Sequence, residues 1–327
     1  MSIRRRGRSF ALARSMSREL RSIVLAGGKG RRLSSVTGGV PKQYYAPRGA
    51  RTLLEDTLSR LAPLVIPART VTVIDRAHEA HVAVVRRRVD LGHVAYQPTD
   101  RGTAAGVLFG LSALDASETD IVVLTPSDHG VASPEVFRRG LRRAVAAVGT
   151  GQAEVVLLAV APSAPAGDYG WILPARRGRV ADDLPAVQSF IEKPDAEHAR
   201  RLLASGAAWN TMVLVGRVGA LLALFREHLP ELTRIFAQAR MWPGVERAAF
   251  LDAHYPSLPV ADFSHDLLTS ASGLQLYVWP DSLGWTDLGT PERLQHWLTD
   301  QESIRRWTES DRRAVRPLSA LTGGAAA

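Results

Sequence analysis

At 327 residues, 46% of them hydrophobic, the chain can bury one large core, or one core with a small appendage. The 41 basic against 32 acidic side chains give +9, and the N-terminal run IRRRGRSFALARSMSRELR, crowded with arginine against one glutamate, carries much of that excess. The absence of cysteine excludes disulfides and thiolate metal sites and fits a reducing, cytoplasmic setting; no apolar run is long enough to span a bilayer, and the arm lacks a secretory-signal pattern.

Residues 1–20 are therefore expected as a basic, mobile surface arm, with nucleic-acid contact as the minor alternative. From Ser22 to about Asp300, short apolar strand patterns alternate with helical ones. SIVLA (22–26), VTVID (71–75), HVAYQ (93–97) and DIVVLTP (120–126) read as strands, followed by helices over 52–65, 77–90, 104–116 and 134–147. Strand and helix alternating at this spacing build a parallel sheet with both faces covered. AEVVLLAV (153–160) extends that sheet. The rhythm then changes: YGWIL (169–173), AVQSFIEKP (186–194) and AWNTMVLV (208–215) read as strands around Gly/Pro/Asp-rich connections. One or two helices broken near Pro230 follow, then a late strand, LQLYVWP (274–280), and a closing helix in TPERLQHWLTD. The pattern is one α/β domain over 21–300 whose second half carries a substrate-facing insertion, with a frayed tail over 301–327.

Open parallel sheets bind ligands beyond the carboxyl ends of their strands, and three pieces fall there. In AGGKGRRL, Gly27, Gly28 and Gly30 let the backbone turn tightly and turn N–H groups toward a ligand, while Lys29, Arg31 and Arg32 crowd the loop with charge. The loop is neither GxGxxG nor a P-loop. In LTPSDHG, Asp128 lies just past an almost wholly apolar strand, where a carboxylate needs a cation or hydrogen-bond donors; as a Mg2+ ligand it needs a second carboxylate or phosphates. His129 reads as a packing residue, or one that supports the ligands from behind, rather than as a ligand. LGWTDLGT offers the second carboxylate, Asp287, in a turn that opens the last helix, although Thr286, Asp287 and Thr290 are all candidate helix caps. Only three of the 41 cationic side chains are lysine, namely Lys29, Lys42 and Lys193. Lysine is a compact, mobile point charge suited to a phosphate cluster, where arginine is a planar fork. Phosphate-binding cations with two carboxylates point to phosphoryl or nucleotidyl transfer.

With these motifs in order, the chain resembles the sugar-1-phosphate nucleotidyltransferases, and within them the mannose-1-phosphate guanylyltransferase branch. LAGGKGRRL with PKQY is similar to the family's nucleotide signature, QPTDRGTAAG to its purine loop, and LTPSDHG and GWTDLG to its metal-aspartate turns. DYGWI, FIEKPD and AWNT resemble its sugar segments. The resemblance implies a three-layer α/β/α Rossmann-like fold with a mainly parallel mixed sheet. It implies Arg32 and Lys42 on the nucleotide phosphates, Asp128 and Asp287 on Mg2+, and Lys193 on the sugar phosphate. It places Glu192, Asn210 and Gly170 on the sugar, with Gly27, Gly28 and Thr103 near the base. The implied reaction takes GTP and mannose 1-phosphate to GDP-mannose and pyrophosphate; membrane and nucleic-acid partners are not expected, and a homodimer is the assembly it allows.

The chain departs from the family where base and sugar are selected. Gly102 stands where the family has Asn, WNTMV lacks the glycine of the sugar strand, and Ser34 and Ser35 replace a Trp-Pro in a run one residue shorter. Reaction class is thus expected more firmly than substrate, and the alternatives are another NTP and sugar 1-phosphate pair (glucose or heptose) or a protein that binds nucleotide sugar without turnover. No fused isomerase domain or long left-handed β-helix is expected after the last motif.

Overall fold

The apolar run after the arm forms β1 (Leu20–Ala26), and its two-residue alternation sends neighbouring side chains to opposite faces. Ile23 packs into one core with Val71 and Val73, and Val24 into the other with Leu54 and Ile74. The computed structural model describes residues 18–175 and 184–300. The tail expected over 301–327 and most of the arm lie outside the described residues. β1 starts two residues earlier than expected because Arg21 Nε and the Glu19 N–H both reach the Asp120 carboxylate, at 2.9 and 3.0 Å.

The strands that follow are β2 (Thr70–Asp75), β3 (His93–Gln97), β4 (Ile121–Pro126), β5 (Gly130–Val131), β6 (Val155–Val160), β7 (Gly170–Pro174), β8 (Val187–Glu192), β9 (Ala208–Arg217), β10 (Leu274–Trp279) and β11 (Trp285–Thr286). The main sheet runs β10-β6-β9-β4-β1-β2-β3. All neighbours are parallel except β9, which is antiparallel to both β4 and β6. The expected three-layer α/β/α arrangement with a mainly parallel mixed sheet is therefore present. β6 belongs to the sheet as expected, but β9 lies between it and β4. The β7–β8 hairpin attaches to β9 and forms the insertion.

Helices Leu53–Leu61, Glu79–Val85 and Pro134–Thr150 cover one face, and Gly102–Ala113, Val218–His228 and Pro230–Ala239 the other. Their starts follow local chemistry. Thr52 and Glu55 form a reciprocal capping box, and Ser133 and Thr290 cap helices that begin with proline. The helix expected over 52–65 stops at Leu61, before Pro63. Elements not expected from the sequence include helix Ala196–Ala204 behind its Asp195 cap, helix Gly244–His254, a π-helical turn, Phe263–Leu268, and the two-residue strands β5 and β11.

The helix Pro134–Thr150 lies against Trp279, which is 1% exposed and stacks on Phe137. A Cβ at Gly140 would sit 2.0 Å from the Trp279 Nε1. Alanine would gain about 1 kcal/mol of helix propensity, yet overpacking a filled core costs about 1–3 kcal/mol, and this clash belongs at the upper end. Gly140→Ala is expected to lower stability by about 1–2 kcal/mol in urea unfolding of the full chain; an unchanged or raised midpoint would contradict the packing.

Candidate active site

Three chain segments meet at the carboxyl ends of β1 and β4. The glycine loop leaves β1, Asp128 follows β4, and the two-stranded β11–β5 ladder, with Trp285 opposite Val131 and Thr286 opposite Gly130, carries the turn at Asp287 to the same place. Lys42, on a single 3-10 turn (Lys42–Tyr44), ties them together. Its Nζ lies 3.0 Å from Asp128 Oδ2 and donates to the Asp287 carbonyl. The lysine is buried, whereas the Asp128 side chain keeps 34% of its surface. A cleft of about 470 Å³ opens beside the pair, lined by Lys29, Arg31, Arg32, Lys42, Asp100 and Asp128 together with loop backbone.

The glycine loop is braced from beneath. Gln43 Nε2 donates to the carbonyls of Ala26 (2.7 Å) and Gly28 (2.9 Å). Gly27 packs against Gln97, where a Cβ would meet Oε1 at 2.8 Å; Gly28 faces open space, and Gly30 abuts the Lys42 backbone. Lys29 faces Asp100 at 3.7 Å, with both side chains exposed. Gln43 lies inside the PKQY signature, but nothing in the sequence marked it as the brace.

The ionisations follow from these contacts. Burial works against a charged Asp128, but Lys42 and His129 outweigh it and hold the carboxyl below its usual range. His129 is pushed down to about 4, chiefly by burial, against the pull of Asp128. Its Nδ1 accepts from Trp285 Nε1 at 3.2 Å, and the two rings meet edge to face. The neutral ring therefore carries its proton on Nε2, which lies 3.8 Å from Asp128 Oδ1. His129 thus has the packing role expected of it.

Asp287 is held by a network that sequence reasoning missed. Its Oδ1 accepts from the Tyr169 hydroxyl (2.9 Å) and the Gly289 N–H (3.1 Å), and Arg293 lies 3.1 Å from Oδ2 and bridges to Asp168 at 2.7 Å. Burial opposes the Arg293 charge, but the two aspartates more than offset it and raise its pKa; burial and Asp287 push the Tyr169 phenol up. Helix capping, the alternative role for Asp287, falls to Thr290. Among the described residues, no group of three or more His, Cys, Asp or Glu side chains is placed to hold a metal.

The residues expected on the sugar share one face of the insertion and of β9, to which it attaches. Gly170 pairs with Glu192, and Trp171 pairs with Trp209, so the two-residue alternation turns Gly170, Glu192 and Asn210 the same way. Lys193 Nζ pairs with Glu192 at 2.7 Å, and the Lys193 N–H donates to the Tyr169 carbonyl. Tyr169 thus joins this face to Asp287. The Thr103 hydroxyl, expected near the base, donates to Asp262 at 3.1 Å and accepts from the Phe263 N–H at 2.7 Å. The Gly102 departure also has a structural cause. Its φ is +83, and a Cβ there would lie 2.2 Å from the Ala261 carbonyl oxygen, so residues 261–263 occupy the space a larger side chain would need.

A family model described as Nucleotidyl transferase matches residues 21–303. The chain is 27% identical over 293 residues to the alginate biosynthesis protein AlgA of Pseudomonas fluorescens, covering 86% of this chain and 58% of that protein. It is also 27% identical to a mannose-1-phosphate guanylyltransferase of Sinorhizobium fredii, covering 86% and 55%. The chain thus spans a little over half the length of these relatives. Among solved structures, a Thermus thermophilus protein described as a mannose-1-phosphate geranyltransferase superposes with a TM-score of 0.73 at 27% identity, over 86% of this chain and 80% of that one.

The buried neutral His129 carries a prediction. An unfolded histidine titrates near 6.5 and the folded one near 4, so between these values the unfolded chain binds the proton and the fold does not. Stability therefore falls as pH drops through that window. Comparing urea midpoints near pH 7 and pH 4.5, His129→Gln is expected to lose about 2 kcal/mol less than the wild type; equal losses would contradict the assignment.

Proposed function

Because the chain belongs to the nucleotidyl transferase family over residues 21–303, we propose that it transfers a nucleotidyl group from an NTP to a sugar 1-phosphate, with GTP and mannose 1-phosphate as the pair. The observation that carries this reading is the Lys42 ammonium between Asp128 and the Asp287 carbonyl, at the mouth of a cation-lined cleft. A phosphate oxygen of the sugar 1-phosphate attacks the α-phosphorus of the NTP, the bond to the bridging oxygen breaks, and pyrophosphate leaves with the electron pair.

Each group in the cleft has work suited to its chemistry. Lys42 and Arg32 neutralise the triphosphate, and the glycine loop brings backbone close to it. Lys193, on the edge of the insertion, holds the sugar phosphate for in-line attack, so that positioning and charge neutralisation supply most of the rate. Glu192 and Asn210 address sugar hydroxyls. The donor set suits Mg2+, which takes one or two carboxylates and completes its shell with phosphate oxygens and water. Asp128 offers a partly exposed carboxylate on the cleft, and Asp287 is tied to the same lysine. Bound Mg2+ would supply further neutralisation of the phosphates.

GTP and mannose 1-phosphate are favoured by the likeness of the purine loop and sugar segments to the guanylyltransferase branch and by the name of the Sinorhizobium relative. The full chain with Mg2+, each of five NTPs and a panel of sugar 1-phosphates tests the reading, with pyrophosphate release expected at the highest kcat/KM for that pair. No release with any pair would overturn the reaction, and nucleotide-sugar binding without turnover would make the chain a binding protein. A different best pair would overturn only the substrate assignment.

Asp128→Asn and Asp287→Asn are each expected to lower kcat by about 100-fold or more, with the Asp128 variant still folded but at a lowered urea midpoint, because buried Lys42 loses its charged partner. Normal Mg2+-dependent turnover in Asp287→Asn would restrict that residue to holding Arg293 and Tyr169.

A further inference from the structure

The strand that carries Asn210 is irregular. Pairing between β6 and β9 slips between Leu158 and Ala159, where Leu158 faces Val213 but Ala159 faces Asn210. Thr211 and Met212 are therefore extra residues on β9, and they form a bulge. Thr211 stitches it down, its hydroxyl donating to the Leu158 carbonyl and accepting from the Val213 N–H. Met212 stands in the left-handed region, at φ +57, a conformation that side chains other than glycine adopt rarely and at a cost. Its N–H donates to Asn210 Oδ1 at 3.1 Å. With that oxygen committed to its own strand, the carboxamide presents donor hydrogens, which suit a hydroxyl oxygen.

Something must hold Met212 in that conformation, and the contact comes from outside the strand. Ser264 Oγ, on the π-helical turn Phe263–Leu268, donates to Met212 Sδ at 3.2 Å. Ser264 is 5% exposed, and Met212 packs against the core beneath it. The turn is itself fastened at its start, where Asp262 accepts from the N–H groups of Ser264 and His265 and from the Thr103 hydroxyl. Thr103, Asp262, Ser264, Met212 and Asn210 thus form one continuous chain from the first turn of helix Gly102–Ala113 to the sugar face.

We propose that Met212 and Ser264 are positioning residues that aim the Asn210 carboxamide at the sugar, with the π-turn as their anchor. The inference rests on the reading of Asn210 as a sugar contact. Two features set it apart from ordinary core packing: the left-handed residue is part of a bulge that re-aims a polar side chain, and π-turns recur at functional sites.

The test uses the full chain, with Ser264→Ala and Ser264→Cys in wild-type and Asn210→Ala backgrounds. Ser264→Ala is expected to raise KM for the sugar 1-phosphate by roughly 3- to 10-fold, with KM for the NTP within about twofold of wild type, and to have no further effect once Asn210 is alanine. Ser264→Cys, which keeps a weak donor, is expected to recover part of the loss. Equal effects with and without Asn210, or equal changes in both KM values, would reduce Ser264 to a packing role and overturn the proposal. Hydrogen exchange of the Met212 amide reads the same link without turnover and is expected to quicken by about 10-fold or more in Ser264→Ala. Unchanged exchange would overturn the positioning link, whereas faster exchange in a chain with no turnover would support that link and instead overturn the proposed reaction.

Discussion

The site depends on one buried ammonium. Lys42 bonds to a carboxylate just past β4 and to a carbonyl in the turn after β11, partners 86 and 245 residues away in sequence. A buried lysine without such partners would shed its proton or destabilise the fold. Breaking a buried pair by removing one partner leaves the other charge uncompensated, at about 3–5 kcal/mol where burial is complete; here the partial exposure of Asp128 reduces that figure. The β11–β5 ladder, the Gln43 brace and the Asp287 network can all be understood as means of keeping three separate segments within reach of this nitrogen.

Backbone strain collects around the same groups. The described residues with positive φ other than glycine are Lys193, Met212 and Leu288. Each is, or lies within two residues of, a residue assigned to the reaction: Lys193 itself, Asn210 and Asp287. Each left-handed residue costs about 1–2 kcal/mol, which persists only where surrounding contacts over-determine it. Those contacts are visible: the Lys193 N–H on the Tyr169 carbonyl, Met212 under Ser264, and the Leu288 N–H on Thr286 Oγ1 at 3.2 Å.

The parallel half of the fold was legible because each strand is a short apolar run bounded by turn residues, and the helices Leu53–Leu61 and Pro134–Thr150 carry their own caps and amphipathic stripes; Gly102–Ala113 has neither and stood out as a continuous run of small and apolar residues. The position of β9 was not, because a strand buried on both faces reads the same whether it lies at the edge or in the middle of a sheet, in either direction. Helix Gly244–His254 and the π-turn Phe263–Leu268 lie in stretches that read as connections, and their order comes largely from tertiary contacts; helix Ala196–Ala204 does carry a local signal, the Asp195 cap. At the site, Asp128, Asp287, Lys42 and the glycine loop announced themselves through charge and glycine beside apolar strands. Gln43, Tyr169 and Arg293 did not, since their roles rest largely on contacts across 15 to 125 residues that only the fold creates. The missing Asn at Gly102 looked like a lost base contact; in the fold the Ala261 carbonyl fills that space.

Attack at the α-phosphorus, as proposed for this cleft, leaves an isotopic signature in the products. The most direct measurement uses an NTP carrying 18O in the α–β bridging position, with the chain, Mg2+ and a sugar 1-phosphate, followed by phosphorus NMR of the products. All of the label is expected to leave in pyrophosphate, and the nucleoside diphosphate sugar to carry none. Label in the nucleotide product, or release of orthophosphate in place of pyrophosphate, would contradict it.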